Sequence, residues 1–186
     1  MQLYPKHRKP LTQEPSKWFV DCVDKIIIPP YPVADIACGY GRNGAYVACK
    51  SHPVIFLDID EDCLKFISQG SDVAMNDELP SEYVKLMKID LTETWPFQHS
   101  CLGGIICVHF YTPRIILKSV DSLVQKGFLY FETIPGHKGN FYGLPKQKEV
   151  LSQLYPFFDI LHYEEREVKY YGETRTTLKV FAVKGN

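Results

Sequence analysis

Residues 33–48, VADIACGYGRNGAYVA, hold three glycines at G-x-G-x-x-G spacing, Gly39, Gly41 and Gly44, with Asp35 four residues ahead of the first. Glycines so placed allow a tight turn between a strand and a helix, and let a ligand approach the backbone closely. The helix that follows offers its N-terminal amides to that ligand. Asp58 lies 19 residues after Gly39, the separation expected of a carboxylate that accepts hydrogen bonds from ribose hydroxyls. A dinucleotide and an adenosyl ligand satisfy these features equally well. Asp35 separates the two. A carboxylate at the strand end repels a pyrophosphate seated on the turn, and attracts a cationic ligand such as an amino acid ammonium beside a sulfonium.

This chemistry needs a strand that ends at the turn and neighbouring strands that end beside it. Val33–Ala37 reads as a short apolar strand, followed by a helix through Ala45, Val47 and Ala48. PVIFLD predicts a second strand ending in Asp58, and EDCLKFISQG a helix closed by Gly70. Residues 71–83 are polar and read as loop. YVKLMKID predicts a third strand ending in Asp90, and GGIICVHF a fourth, continuously apolar like a strand buried on both faces and ending at His109. From Pro113 a helix is expected, with Ile116, Leu117, Val120, Leu123 and Val124 in register and Gly127 at its end. FLYFET is the fifth strand; the glycine-rich loop IPGHKGNFYG then leads to a helix over KQKEVLSQLY. FFDILHYEE and TRTTLKVFAV, parted by a polar turn around Tyr171-Gly172-Glu173, predict an antiparallel hairpin. Upstream, PSKWFVDCVDKIII predicts a helix over 15–28 with Trp18, Phe19, Cys22, Val23, Ile26 and Ile27 at helical spacing, stopped by Pro29-Pro30.

Five strands alternating with helices specify an α/β fold, a parallel sheet covered on both faces. Ligands of such sheets bind at the carboxyl ends of the strands. Asp35, the glycine turn, Asp58, Asp90 and His109 all fall there, contributed by four strands.

The bulk properties narrow the function further. A chain of 186 residues, 45% hydrophobic and 23% charged, suits one domain of ordinary globular composition. Its formal net charge of −1 gives no electrostatic case for nucleic acid or an anionic membrane. The basic run Lys6-His7-Arg8-Lys9 reads as a solvated arm, and the N-terminus lacks the apolar core of an export signal. None of the six cysteines forms a C-x-x-C pair, and the six histidines show no metal-ligand spacing. Reduced cysteines in a cytoplasmic protein without a metal are the expectation.

The stretch DIACGYGRNGAYVA resembles motif I of class I S-adenosylmethionine-dependent methyltransferases, in the small TehB-like (tellurite-resistance-like) branch whose motif runs D-x-x-C-G-x-G-R-N. The resemblance covers residues 15–184 and includes FLDID, KIDL, VHFYTPR, FLYFET and HYEE in order. It departs at Ala37, where many methyltransferases carry the first glycine of the motif. The resemblance implies a Rossmann-like, mostly parallel sheet of seven strands with a closing antiparallel hairpin and helices on both faces. It implies one domain over 15–186 behind an arm at 1–14, and S-adenosylmethionine as cofactor. By the same carry-over Asp35 and the Gly39–Gly41 turn face the methionine part, Asp58 the ribose and Ile59 the adenine, with Ala37, Asn43 and Val108 as further cofactor contacts. Asp90 accepts from the adenine amino group and the Leu91 amide bonds a ring nitrogen, while His109 and Phe110 line the junction with the substrate. Arg114, Glu132 and Tyr142 are the expected substrate contacts, with Thr133, His137 and Trp18 as further lining candidates.

Several of these residues have a plainer reading. Asp58 or Asp60 caps the helix that begins at Glu61; Asp90 caps a turn; Arg42 and Asn43 brace the start of a helix; His109 is a hydrogen-bonded wall residue. If the acceptor arrives protonated, His109 is the general-base candidate, since an ordinary histidine titrates near pH 6.5. A thiolate or oxyanion acceptor needs no base. The expected activity is methyl transfer to a small-molecule acceptor (EC 2.1.1.-), with a lid formed by the segment around Trp18 and the loop 135–143. The alternative is a non-catalytic S-adenosylmethionine or S-adenosylhomocysteine binder of the same fold; a dinucleotide-dependent oxidoreductase stands third.

Overall fold

The computed structural model describes residues 14–70, 79–112, 114–133, 149–170 and 173–185. Strands β1 (Val33–Ile36), β2 (Val54–Asp58), β3 (Val84–Lys88), β4 (Leu102–Val108), β5 (Leu123–Thr133), β6 (Phe158–Tyr170) and β7 (Glu173–Lys184) form one sheet in the order β3-β2-β1-β4-β5-β7-β6. The first five are parallel; β7 runs antiparallel to both β5 and β6. The mostly parallel sheet with its closing hairpin is therefore as the sequence predicts.

Alternate residues of the central strands feed two separate cores. Helices α1 (Lys17–Val23), α2 (Arg42–Ala48) and α3 (Glu61–Ser68) cover one face, packing Phe19, Val47 and Ile67 against Val33, Phe56, Ile106, Phe128 and Phe181. Helices α4 (Ile115–Ser122) and α5 (Glu149–Leu154) cover the other, packing Ile116 and Leu154 against Ile36, Leu57, Ile105, Phe131 and Val180. Each buried Phe, Ile or Leu contributes roughly 1.5–3 kcal/mol. Two such cores fix the strand ends on which the site depends.

The elements depart from expectation in three places. Helix α1 stops at Val23, not Ile28, and Ile27 is 93% exposed in spite of its helical register. The chain there turns toward β4: a side chain at Gly103 would lie 2.7 Å from the Pro29 carbonyl and 2.6 Å from that of Tyr31, so 29–31 run closely over the strand. Helix α4 stops at Ser122, and Leu123 and Val124 open β5 instead of continuing the helix. Lys184 of β7 donates to the carbonyls of Val120 at 2.7 Å and Leu123 at 2.6 Å, satisfying helix-end groups and pulling the chain into the sheet. Leu117, in register, is exposed. Gly127, expected to end the helix, lies within β5. The hairpin strands also run longer than FFDILHYEE and TRTTLKVFAV suggest: β6 and β7 pair for five residues beyond the last β5 contact, from Arg166↔Thr177 to Tyr170↔Glu173.

Candidate active site

The site grows from the turn after β1. Ala37, Gly39 and Gly41 adopt left-handed backbone conformations (φ 50°, 54° and 75°), which reverse the chain within a few residues into α2. Ala37 carries this at a cost of about 1–2 kcal/mol that glycine would not incur. The turn is held from below by Cys38 N donating to Leu57 O and Gly41 N donating to Cys38 O, both at 3.0 Å. A side chain at Gly39 would meet nothing within 4 Å. The backbone there is open to close approach.

Asp58 anchors the same turn from β2. Its Oδ2 accepts from Gly39 N at 2.7 Å and its Oδ1 from Asp60 N at 2.8 Å. The carboxylate is 2% exposed. These two amides hold the carboxylate at the strand end, beside the open backbone of Gly39. Asp60 is the residue that caps α3, accepting from Asp62 N at 2.9 Å. The plainer reading of Asp58 thus belongs to Asp60. Ile59, 36% exposed beside Asp58, presents an apolar side chain at the same strand end.

Asp35 lies beneath the turn, buried, with Oδ2 accepting from Gly44 N at 2.9 Å. Burial pushes its pKa up to about 8, the Asp58 charge adding to the rise while the Gly44 N–H and the Arg42 guanidinium oppose it. At neutral pH the carboxyl is largely protonated, which softens the repulsion argued above from charge alone. The selection becomes one of linkage: a cationic neighbour draws the proton off, and an anionic one holds it on. Gly44 is tightly placed as well. A Cβ there would sit 2.7 Å from Asp35 Oδ2 and 2.5 Å from the Phe56 ring. Gly44→Ala is expected to destabilise the fold by about 1–3 kcal/mol, seen as a lower urea midpoint at unchanged slope.

The other predicted residues occupy the neighbouring strand ends. Asp90 follows β3, and its Oδ1 accepts from Thr92 N at 2.9 Å and Thr92 Oγ1 at 2.6 Å, so it caps a turn. Leu91 is buried in the α4-side core, and Val108 is half-buried at the end of β4. Asn43 is buried in α2, with Oδ1 accepting from Ser16 N at 2.9 Å. His109 is exposed, has left-handed backbone (φ 60°), and donates its N–H to Glu132 O at 2.8 Å. A non-glycine residue held in that region at a strand end commonly marks a functional position. Phe110 packs on the α4-side core, and exposed Arg114 stands at the start of α4. His137 and Tyr142, with the loop 135–143, lie outside the described residues.

Glu132 is buried, not open to solvent. Tyr130 Oη donates to its Oε2 at 2.6 Å, and Lys179 Nζ lies 3.2 Å from its Oε1. Burial, then the Glu132 charge, drives the Tyr130 hydroxyl pKa far up, so it remains a donor. Trp18 packs on Tyr130 and edge-on to His162, with Lys179 Nζ 6.0 Å from its ring. Sequence reasoning named Trp18 and Glu132 but missed Tyr130, Lys179 and Ser16. The register Glu132↔Lys179 alone brings in Lys179, and the packing of α1 on β5 alone brings in Ser16, whereas Tyr130 stands two residues from Glu132 on the same face of the strand. Among the described residues no cluster of three or more His, Cys, Asp or Glu could hold a metal.

The family model of Tellurite resistance protein TehB matches residues 6–127, about two thirds of the chain. The chain belongs to this family. The match takes in the glycine turn, FLDID, KIDL and VHFYTPR; FLYFET and HYEE lie beyond it. No curated protein matches the sequence. Among solved structures, a SAM-dependent methyltransferase from Methanosarcina mazei is 15% identical, with TM-score 0.63 over 92% of this chain and 99% of that one. TehB from Haemophilus influenzae is 17% identical, with TM-score 0.65 over 91% of this chain and 62% of that one. Magnesium protoporphyrin IX methyltransferase from Synechocystis PCC 6803, solved with bound SAM, is 19% identical, with TM-score 0.60 over 90% and 76%. At such identities these likenesses speak for the fold alone, the Rossmann-like class I methyltransferase fold. This TehB-family chain has that sheet and the glycine turn at its centre.

Proposed function

We propose that the chain is an S-adenosylmethionine-dependent methyltransferase acting on a small-molecule acceptor, with residues 15–186 as one domain behind an arm at 1–14. The cofactor is S-adenosylmethionine, and the residues around the glycine turn fit it. The observation that carries the reading is the Gly39–Asp58 clamp: an open glycine backbone whose N–H donates at 2.7 Å to a buried carboxylate at the end of the neighbouring strand. Asp58 would hold the ribose hydroxyls and Ile59 one face of the adenine, with Asp90 and the Leu91 amide at its polar edge. Asp35, Ala37, Gly39 and Gly41 would face the charged amino-acid end, and Asn43 would border it. When bound, the cofactor supplies a methyl group activated by a sulfonium for in-line displacement.

The chain's own task is orientation and exclusion of water, for which good placement of the nucleophile supplies about 7–11 kcal/mol. His109, exposed at the end of β4 beside Val108 and Phe110, would take a proton from the acceptor, and Arg114 would contact it. Tyr142 is proposed for the same role from the sequence alone, and Glu132, buried against Tyr130 and Lys179, would brace that end of β5. A net charge of −1 favours a small acceptor over nucleic acid. No described helix is long and apolar enough to cross a membrane, and a cytoplasmic site of action accords with the free cysteines. Calorimetric titration with S-adenosylmethionine, S-adenosylhomocysteine and NAD tests the cofactor. Heat with the first two and none with NAD is expected; heat with NAD alone overturns the reading.

A further inference from the structure

A chain of contacts leaves the ligand turn from Asn43 and returns to the site at His109. Asn43 stands in the first turn of α2, directly after the glycine turn, and its Oδ1 receives the Ser16 N–H at 2.9 Å. Ser16 precedes α1, and its Oγ is 3.2 Å from the Tyr130 hydroxyl. Tyr130 in turn donates to Glu132 Oε2 at 2.6 Å, and the Glu132 carbonyl receives the His109 N–H at 2.8 Å. Trp18, the second residue of α1, rests on the Tyr130 ring with centroids 5.5 Å apart. Asn43, Tyr130 and Glu132 are buried, and buried polar groups linked in this way have few alternative partners, so displacing one disturbs the next.

We propose that Asn43 is a positioning residue: it ties the ligand turn to the start of α1 and, through Tyr130 and Glu132, to the strand end that carries His109. The inference rests on the cofactor reading above and adds a consequence to it. Occupancy of the turn and docking of α1 are coupled, and the coupling is reciprocal. A ligand on the turn tightens α1 over β5, and loss of the Asn43–Ser16 bond weakens that ligand by about threefold to tenfold. Trp18 reports the docking without any acceptor being known.

The experiment uses the full chain labelled with fluorotryptophan, its two resonances assigned with Trp95→Phe. S-adenosylmethionine is titrated with calorimetry in parallel. In the unsubstituted protein the Trp18 resonance is expected to move in step with the calorimetric saturation. In Asn43→Leu the heat persists, weakened about threefold to tenfold, while the Trp18 response disappears. Asn43→Asp keeps the acceptor oxygen and restores the response. Should Asn43→Leu fold poorly, Ser16→Pro removes the donor instead, leaving the turn and α2 untouched, since Ser16 already holds φ −58°. Heat with a silent Trp18 in the unsubstituted protein overturns the inference and leaves the cofactor reading standing, as does a full Trp18 response in both variants. Absence of heat in the unsubstituted protein overturns the cofactor reading and the inference with it.

Discussion

Asp58→Ala is expected to unfold at lower urea and to bind S-adenosylmethionine at least tenfold more weakly. The two losses have different origins. The stability loss comes from the amides of Gly39 and Asp60, which the carboxylate holds at 2.7 and 2.8 Å in a buried setting. Each amide left without an acceptor costs about 1–3 kcal/mol, a large share of a marginal fold's stability. The affinity loss has two parts: charged hydrogen bonds to the ribose, worth about 1.5–3 kcal/mol each, and slackening of the turn at Gly39. Asp58→Asn separates them. Its one oxygen keeps one amide, so stability falls less, yet the amide nitrogen presents donors where the ribose also donates. Urea midpoints and calorimetric affinities of both variants give the result. A folded Asp58→Ala or Asp58→Asn that binds like the unsubstituted protein would remove Asp58 from the ligand and leave it a structural brace.

What the sequence made legible is what local periodicity and spacing encode. The strand ending at Asp58 and the turn Gly39–Gly44 are one supersecondary unit, so their meeting follows from counting residues along the chain. The choice between Asp58 and Asp60 as helix cap did not, since both stand ahead of α3 and only the fold shows Asp60 accepting from Asp62. Periodicity overran at both ends where tertiary contacts decide. Leu123 and Val124 continue the apolar register of α4, but Lys184, sixty-one residues beyond Leu123, draws that carbonyl into the sheet. Ile27 is apolar at helical spacing and still exposed, because the helix had already ended at Val23. The same limit hid half of the site. Tyr130 reads as one more aromatic in a buried strand, although it stands two residues from Glu132 on the same face of β5. Lys179 reads as a polar position on a hairpin, and its ion pair with Glu132 exists only once β5 and β7 are in register.

Asp35 offers the second large effect, and pH is the handle. Its folded pKa is raised from 3.8 to about 8, chiefly by burial. The native state therefore holds a proton that the unfolded chain releases near pH 4. Stability from this group is full below the unfolded value and declines as pH rises toward 8, at up to about 1.4 kcal/mol per pH unit. Asp35→Asn stays neutral and keeps an oxygen for the Gly44 N–H, so it should lack that slope and be the more stable protein at pH 8. Ligand binding should show the opposite trend. A cationic amino-acid end gains most from an ionised Asp35, so binding to the unsubstituted protein releases a proton and strengthens as pH rises toward 8. The ligand's own amino group titrates near the top of this range, but the ratio of unsubstituted to Asp35→Asn affinity cancels that contribution. Between about pH 6 and pH 7.5 the ratio is expected to climb by up to tenfold per unit. Stability curves and calorimetry over that window provide both readings. A flat ratio together with a sloping stability curve would mean that Asp35 supports the turn through Gly44 and never meets the ligand's charge. A sloping ratio would show that the proton beneath the turn is exchanged for a cation above it, which is why a carboxylate stands where a dinucleotide site has no use for one.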